Sequence, residues 1–440
     1  MNKILIIGAG RSTSSLISYL LKRSAEYNWQ ITVADTDLNL AQTKIKGFAN
    51  AKAIEFDVNN VTERENIIKT NDLVISMLPA FMHGDVARDC VKFGKHIATA
   101  SYVSAEMKEL NAEAKQKGLL ILNECGLDPG IDHASAMKII HELQDKGAEI
   151  TSFKSYCGGL VAPESNDNPW GYKFSWNPRN VILAGQGTAQ FLEGGQLKFI
   201  PYNRLFTQID SIKVDGYGSF DAYANRDSIG YKDPYGLQNV KTLLRGTLRQ
   251  TGYCKAWNVF VKLGLTDDGY KIREANKLTY TQLLDSFLPD GKGTIKEKLK
   301  VFMKEEWSAD VETKLNYLEL FDNKKIKMAE GSPAQLLQEL LEEKWKLKHG
   351  DKDMIVMQHL FEYKLNGKDH KLTSSLVVIG DDEEHTAMAK TVGLPLAITV
   401  KNFLTGKFKL SGVQIPIVKE IYEPLLKELE ELGVIFKESH

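Results

Sequence analysis

Lys3-Ile4-Leu5-Ile6-Ile7-Gly8-Ala9-Gly10-Arg11-Ser12-Thr13 opens the chain, and Ile31-Thr32-Val33-Ala34-Asp35 follows, its acidic end 25 residues beyond Gly10. An apolar run entering a glycine turn reads as a strand, Lys3 to Ile7, with a helix expected from about Arg11. The first turn of such a helix points N–H groups at an anion, and residues without side chains let a pyrophosphate come close. Asp35, closing the second strand, would accept hydrogen bonds from an adenosine ribose. Gly8, Gly10, Arg11, Ser12, Thr13 and Asp35 are therefore the first candidates for binding a dinucleotide. The third position of the G-x-G-x-x-G/A pattern is Thr13, so helix and sheet are expected to pack slightly further apart there. The competing reading is an ordinary glycine turn with Asp35 as a helix cap. Asp37 is better placed for the cap, which leaves Asp35 to the ribose. A carboxylate at that point would repel a 2′-phosphate, so NAD is the expected cofactor and NADP the alternative.

A chain of 440 residues is too long for a single core, and two or three domains are expected. Lys plus Arg number 56 against 57 Asp plus Glu, so no overall field draws the protein to nucleic acid or an anionic membrane. Lys324-Lys325-Ile326-Lys327 is too short a run to alter this and reads as a solvated face. Cys90, Cys125, Cys157 and Cys254 are widely spread without a C-x-x-C pair, which signals neither zinc nor a disulfide framework and fits a reducing compartment. The short apolar start reads as a core strand and not a signal peptide, and no apolar run approaches membrane-spanning length, so the cytoplasm is the expected location. No grouping of His, Cys and carboxylates has metal-ligand spacing.

Outward from the opening motif, short apolar runs alternate with helical patterns: Ile31 to Ala34, Ala53 to Phe56, Leu73 to Leu78, His96 to Ala100 and Leu119 to Leu122. This is the rhythm of a Rossmann-like, doubly wound parallel sheet in an α/β protein, whose ligands sit beyond the carboxyl ends of the strands. The segments just after those runs then matter most: Asp57-Val58-Asn59, Ser76-Met77-Leu78-Pro79, Ser101-Tyr102, and Glu124 to Pro129 with Leu127 inside it. From about residue 149 strands with long glycine, proline and asparagine-rich connections replace this rhythm, so a second domain begins. Near its end Met354 to Leu365 and Lys371 to Val378 flank Asn366-Gly367, a two-residue turn suited to a hairpin. Between about 255 and 350 the spacing is helical, and Ser332-Pro333-Ala334-Gln335 reads as a capping box with proline at the first helical position. That block reads as an insertion. Residues 386 to 440 return to helical patterns and are expected to fold back on the first domain, with Val434 to Phe436 covering or extending its sheet.

Two polar clusters stand out as candidates for chemistry. In Asn123 to His133, Asp128 lies between glycines and before a proline, where the chain is held non-helical and its carboxylate would project towards a ligand. The alternative is that Asp128 and Asp132 build a turn and cap a helix starting near His133. The second stretch, Ser155 to Arg179, offers Tyr156, Tyr172 and Trp176 as flat walls and Lys173 and Arg179 as positive charge in a long polar loop. Further on, Arg226 in Asn225-Arg226-Asp227-Ser228, and Arg245 and Arg249 in Arg245-Gly246-Thr247-Leu248-Arg249, place guanidinium groups in strand-like surroundings. Arginine forks bind carboxylates bidentately, and a multiply carboxylated substrate would explain them; internal pairing with residues such as Asp227 is the alternative. His133 and His359 are acid–base candidates by residue type, but each sits inside an apolar pattern, where a packed histidine is the commoner outcome.

Together these segments resemble the glutamate-forming saccharopine dehydrogenases through nearly the whole chain: IIGAGR at 6–11, DLVISMLP at 72–79, TASYVS at 99–104, ECGLDPGIDH at 124–133, SYCGGLVAPESNDNPWGYKFSW at 155–176, NRDS at 225–228, RGTLR at 245–249, DMIVMQH at 353–359 and MAKTVGLPLAI at 388–398. The resemblance implies a dinucleotide domain at 1–130 with 386–440, a mixed α/β substrate domain at 131–254 with 351–385, a helical domain at 255–350, and a homodimer. It implies oxidation of saccharopine to L-glutamate and 2-aminoadipate 6-semialdehyde with NAD or NADP in lysine metabolism, or the reverse. By the same resemblance Ser101, Tyr102, Asp128, Arg226 and Thr247 are substrate contacts, and the arginine reading adds Arg249. Asp57, Val58, Ser76, Leu78, Leu127, Asp128 and Ser175 are expected beside the cofactor, the nicotinamide being approached by Gly126 to Asp128 and by Lys173 to Ser175. Asp128, Tyr102 and Cys157 are the candidates for proton handling. Fungal relatives using NADP have basic or neutral residues after the second strand, whereas Asp35 resembles the animal NAD-linked enzymes. Two rival readings are an imine reductase like the carboxynorspermidine dehydrogenases, whose substrate carries fewer carboxylates, and a dinucleotide-binding sensor without catalysis.

Overall fold

In the computed structural model, which describes residues 2–184 and 186–440, the opening apolar run forms β1 (Asn2–Ile7) with Ile4 to Ile7 buried, as a strand covered on both faces requires. The strands β2 (Trp29–Asp35), β3 (Ala51–Glu55), β4 (Leu73–Ser76), β5 (His96–Ala98) and β6 (Leu120–Leu122) follow, separated by helices. Then come β7 (Glu149–Val161), β8 (Ala189–Glu193), β9 (Gln196–Ile200), β10 (Asp210–Val214), β11 (Gly218–Ala224) and β12 (Thr242–Gln250). The short pair β13 (Ile272–Arg273) and β14 (Glu330–Gly331) precedes β15 (Asp353–Leu365), β16 (Lys368–Ile379), β17 (Gly412–Gln414) and β18 (Phe436–Ser439).

One sheet has seven strands in the order β17-β6-β5-β4-β1-β2-β3, every pair parallel. Strand order reverses at β1, which lies between β2 and β4, so the connections leaving β1 and β4 diverge and open a crevice over their carboxyl ends. The sheet is extended by Gly412–Gln414, not by Val434 to Phe436 as the sequence suggested; Phe436–Ser439 stands at the edge of the other sheet. That second sheet is mixed and has nine strands, β10-β11-β12-β7-β15-β16-β18, with β8 pairing β12 and β9. The Asn366-Gly367 hairpin is present, both residues in the left-handed region (φ 52° and 75°) that such a turn requires.

The chain groups into two units, residues 1–149 with 365–368 and 376–438, and residues 150–364 with 369–375 and 439–440. This differs from the three-part division expected. Residues 131–149 belong to the first unit because the helix Ile131–Asp145 packs against the helix Lys419–Glu431. The inserted helices, from Tyr253–Leu263 to Pro333–Lys344, group with the second unit.

Their shared core explains why. Trp170, Tyr172, Tyr253, Trp257, Phe260 and Trp345 form a buried aromatic cluster, with Trp170 stacked on Phe260 at 5.9 Å and its Nε1 donating to the Lys314 carbonyl at 2.8 Å. Each such pair adds about 0.5–1.5 kcal/mol to the area it buries. Much of the stretch read as a polar loop from Ser155 is therefore strand and core: β7 runs to Val161, and Trp170, Tyr172 and Phe174 are buried. Ser332 caps the helix Pro333–Lys344 in the expected box with Gln335.

Candidate active site

The glycine turn lies at the reversal of strand order. Gly8 adopts φ +104°, and a Cβ there would lie 2.9 Å from the Met77 carbonyl oxygen at the end of β4, so the turn tolerates no side chain. A Cβ on Gly10 would meet nothing within 4 Å, which is the space a pyrophosphate needs. A short 3-10 turn, Arg11–Thr13, leads into the helix Ser14–Ser24, and no side chain caps either start. The Thr13 hydroxyl instead donates to the Gly10 carbonyl at 2.7 Å. Helix-end N–H groups left to an anion are what a dinucleotide cradle requires, so these residues fit the group.

Asp35 closes β2 as expected. Its Oδ2 accepts the Ala9 N–H at 2.6 Å and its Oδ1 the Asp37 N–H at 2.9 Å, so the carboxylate is fixed against the turn. Asp37 takes the cap of the next helix, accepting the Leu40 N–H at 3.1 Å. Asp57 is exposed and accepts the Asn59 N–H at 2.9 Å. The buried Val58 is pinned through its carbonyl by Arg64 Nη1 at 2.7 Å, while Arg64 Nε pairs with Asp89 at 2.7 Å. Leu78 is half-buried against the core of this sheet.

After β4, β5 and β6 the same unit gathers a polar network. Tyr102 donates from its hydroxyl to Asp128 Oδ1 at 3.3 Å, which brings together two residues 26 positions apart. Glu124, at φ 54°, accepts the Val103 N–H at 3.0 Å and holds His133 Nε2 at 2.8 Å. Asp132 Oδ2 lies 3.6 Å from His133 Nδ1, and its Oδ1 accepts the Gly130 N–H at 2.6 Å. The helix starts at Ile131, so Asp132 sits within its first turn and bonds backwards to Gly130 instead of capping a helix from His133. Gly130 has φ +147°, and a Cβ there would lie 2.0 Å from the Gly126 carbonyl oxygen, which closes the Gly126-Leu127-Asp128-Pro129-Gly130 loop on itself. Leu127 is buried inside that loop and Asp128 is half-exposed on it.

Sequence reasoning missed His83. Its Nδ1 lies 2.8 Å from Ser76 Oγ and its Nε2 2.8 Å from Ser101 Oγ, bridging two predicted site residues. Burial pulls its pKa down to about 4, so the ring is neutral at working pH. The available signal was its place at the start of the helix following the β4 segment.

In the second unit, register decides which side chains share a face. Cys157 stands opposite Thr247, Ser155 opposite Arg245, Tyr223 opposite Thr247 and Asp221 opposite Arg249. Because side chains alternate along a strand, Cys157, Arg245, Thr247, Arg249 and Tyr223 lie on one side of the sheet. Arg249 is 4 % exposed and lies among the rings of Tyr172, Tyr253 and Tyr223 at 5.4, 5.5 and 5.9 Å. Its Nη1 donates to the Leu248 carbonyl at 3.1 Å, its Nε meets no acceptor, and no carboxylate pairs with it among the described residues. A guanidinium cannot shed its proton, so this is a buried full positive charge.

The other cations of this unit behave differently. Arg245 is buried over the Tyr231 ring at 4.4 Å. Arg226 is exposed at φ 45° in a loop that Asp227 closes by accepting the Ile229 and Gly230 N–H groups at 2.8 and 3.1 Å. Lys173 pairs with Asp167 at 2.8 Å and Asp351 at 2.7 Å, and Arg179 pairs with Asp268, so both charges are engaged within the protein. Tyr156 is buried and donates to Asp210 at 3.1 Å, which makes it core and not a wall. Ser175 is buried. No metal-holding cluster of His, Cys, Asp or Glu occurs among the described residues, and no helix among them is long and apolar enough to cross a membrane.

Comparison with known proteins matches residues 4–122 to the saccharopine dehydrogenase NADP binding domain and residues 126–434 to the saccharopine dehydrogenase C-terminal domain. The chain is 34% identical to the saccharopine dehydrogenase [NADP(+), L-glutamate-forming] of Schizosaccharomyces pombe, across 100% of this chain and 99% of that protein. It is 36% identical to the mitochondrial alpha-aminoadipic semialdehyde synthase of Mus musculus, across 99% of this chain and 47% of that protein. The solved apo saccharopine dehydrogenase (L-Glu forming) of Saccharomyces cerevisiae superposes with a TM-score of 0.90 at 32% identity, covering 100% of this chain and 99% of that one. A homospermidine synthase from Legionella pneumophila in complex with NAD shares the fold at a TM-score of 0.58 and 10% identity. With its crevice, its uncapped helix start and its buried arginine in place, the chain belongs to the saccharopine dehydrogenase family, oxidoreductases that act on a CH–NH bond with a nicotinamide dinucleotide.

Proposed function

We propose that the protein oxidises saccharopine to L-glutamate and 2-aminoadipate 6-semialdehyde, with NAD as the preferred dinucleotide. The observation that carries the substrate is Arg249, a desolvated guanidinium paired with no carboxylate among the described residues, on the same sheet face as Thr247 and Cys157. A ligand carboxylate offers it two parallel charge-assisted hydrogen bonds in a water-poor setting. The names of the full-length relatives support the same substrate.

In the proposed reaction a hydride leaves the carbon beside the secondary amine, the nitrogen lone pair closes an imine, and water splits it into amine and aldehyde. The dinucleotide, when bound, supplies the hydride acceptor. The chain's own part is orientation and proton handling. Gly8 to Thr13 hold the pyrophosphate, Asp35 the ribose, and Arg249 with Thr247 a substrate carboxylate. Arg226, exposed on its loop, is proposed as a further carboxylate contact. Asp128, its Oδ1 accepting from the Tyr102 hydroxyl, accepts the amine proton in this reading, and Cys157 lies beside Thr247 on the strand face. Relatives named for NADP favour the phosphorylated cofactor, whereas the carboxylate of Asp35, fixed against the turn, disfavours a 2′-phosphate there.

The test is dinucleotide reduction followed by absorbance with saccharopine and either NAD or NADP. Turnover with a higher kcat/KM for NAD is expected. Absence of turnover with either dinucleotide refutes the substrate, and a preference for NADP refutes the cofactor assignment. The homodimer expected of the family is read by light scattering on the same sample.

A further inference from the structure

We propose that His83 is a positioning residue that joins the dinucleotide end of the site to its substrate end, holding Ser76 and Ser101 in one hydrogen-bonded chain through a neutral imidazole. The inference rests on the assignment of Ser101 and Tyr102 to the substrate side. Ser76 is the last residue of β4 and stands opposite Ile7 in parallel register, immediately beside the Gly8 turn. Ser101 lies just past β5 and directly before Tyr102, whose hydroxyl donates to Asp128. Among the described residues, His83 is the side chain that hydrogen-bonds to both serine hydroxyls.

The neutral ring completes the chain in either tautomer. Nε2 faces two hydroxyls, Ser101 Oγ at 2.8 Å and Thr99 Oγ1 at 3.3 Å. Thr99 Oγ1 already accepts the Ser101 N–H at 3.2 Å, so its hydrogen is available to the ring. Nε2 has one lone pair or one hydrogen to share between them, so the closer Ser101 takes the main hydrogen bond. The charged form is disfavoured twice over. The ring is 3 % exposed, and His83 opens the helix His83–Lys92, whose N-terminal end repels a cation. Burial is the cause of its low pKa, and no carboxylate contributes to it.

Loss of the ring should release Ser101 and the Tyr102–Asp128 pair that follows it. The glycine turn is held separately, through Asp35 and the Ala34 carbonyl, and should stay in place. His83→Asn keeps a donor near the Nδ1 position and loses the reach to Ser101. It is expected to lower kcat/KM for saccharopine by about tenfold or more while the dinucleotide Kd, read by fluorescence, stays within about twofold. Ser101→Ala in the His83→Asn background should cost less than it does in the wild type. Unchanged kcat/KM, a dinucleotide Kd that rises as much as the substrate effect, or full additivity with Ser101→Ala would each overturn the proposal.

Nitrogen-15 NMR of the wild-type ring at pH 7 gives a readout independent of turnover. A neutral ring is expected, and an imidazolium overturns the proposal. Should His83→Asn fail to fold, Ser101→Ala and Thr99→Val must shift the same resonance, and a resonance that neither moves overturns it as well. A wild type that shows the expected ring but does not oxidise saccharopine counts against the substrate alone.

Discussion

The first unit offers an anion its backbone: the N–H groups of an uncapped helix start, space where Gly10 has no side chain, and a turn at Gly8 pressed against Met77. The second offers one side chain, Arg249, buried among tyrosine rings without a carboxylate of its own. The difference is in where the charge resides and what it costs. Backbone dipoles at a helix end are neutral overall and remain partly solvated when the site is empty. A desolvated guanidinium carries its full charge at all times, so until an anion arrives its burial is offset by the Leu248 carbonyl and the phenol rings around it. Recognition by the turn should therefore depend on shape, and recognition by the arginine on a single charge.

Substitutions can break that contrast. Arg249→Ala should have the largest effect, lowering kcat/KM for saccharopine by about a hundredfold or more with dinucleotide affinity unchanged, and Arg249→Lys should recover little because a point charge lacks the fork. An equal loss of dinucleotide affinity would show that the two recognition modes are not separate. Gly8→Ala should raise the dinucleotide Kd by tens of times, roughly, through positive-φ strain and the contact with the Met77 carbonyl, and isothermal titration checks it. Asp35→Ser should shift the NAD to NADP ratio of kcat/KM towards NADP by about tenfold, since it removes the repelling carboxylate. An unmoved ratio would mean that another group sets the preference. The smallest effect is a control: Ser332→Ala removes a helix cap of the second unit and should cost about 1 kcal/mol in denaturant unfolding without altering either KM.

The same contrast explains what could be read in advance. The turn, the following helix and Asp35 occupy one contiguous segment whose periodicity and glycine placement carry the meaning. The Asn366-Gly367 hairpin and the Ser332 capping box were legible for the same reason. Lys173 and Arg249 show the limit. Both are cations in suggestive surroundings, yet Lys173 is neutralised by Asp167 and Asp351, the second of them 178 residues away, whereas Arg249 pairs with no carboxylate among the described residues. The aromatic residues of 155–179 looked like ligand walls, and several proved to be core because the inserted helices supply Tyr253, Trp257 and Trp345 to pack on them. The helix Ile131–Asp145 groups with the first unit because its partner helix lies near the other end of the chain.

The sequence by itself determined the parallel sheet, the anion-binding turn and the acidic residue beside it, because each is set by neighbours within one strand-turn-helix unit. Only the tertiary structure decided which charges remain for a ligand and which histidine bridges the strand ends. Those outcomes depend on pairing and register between segments far apart in the chain, where electrostatics and burial act on distance in space and not on distance in sequence.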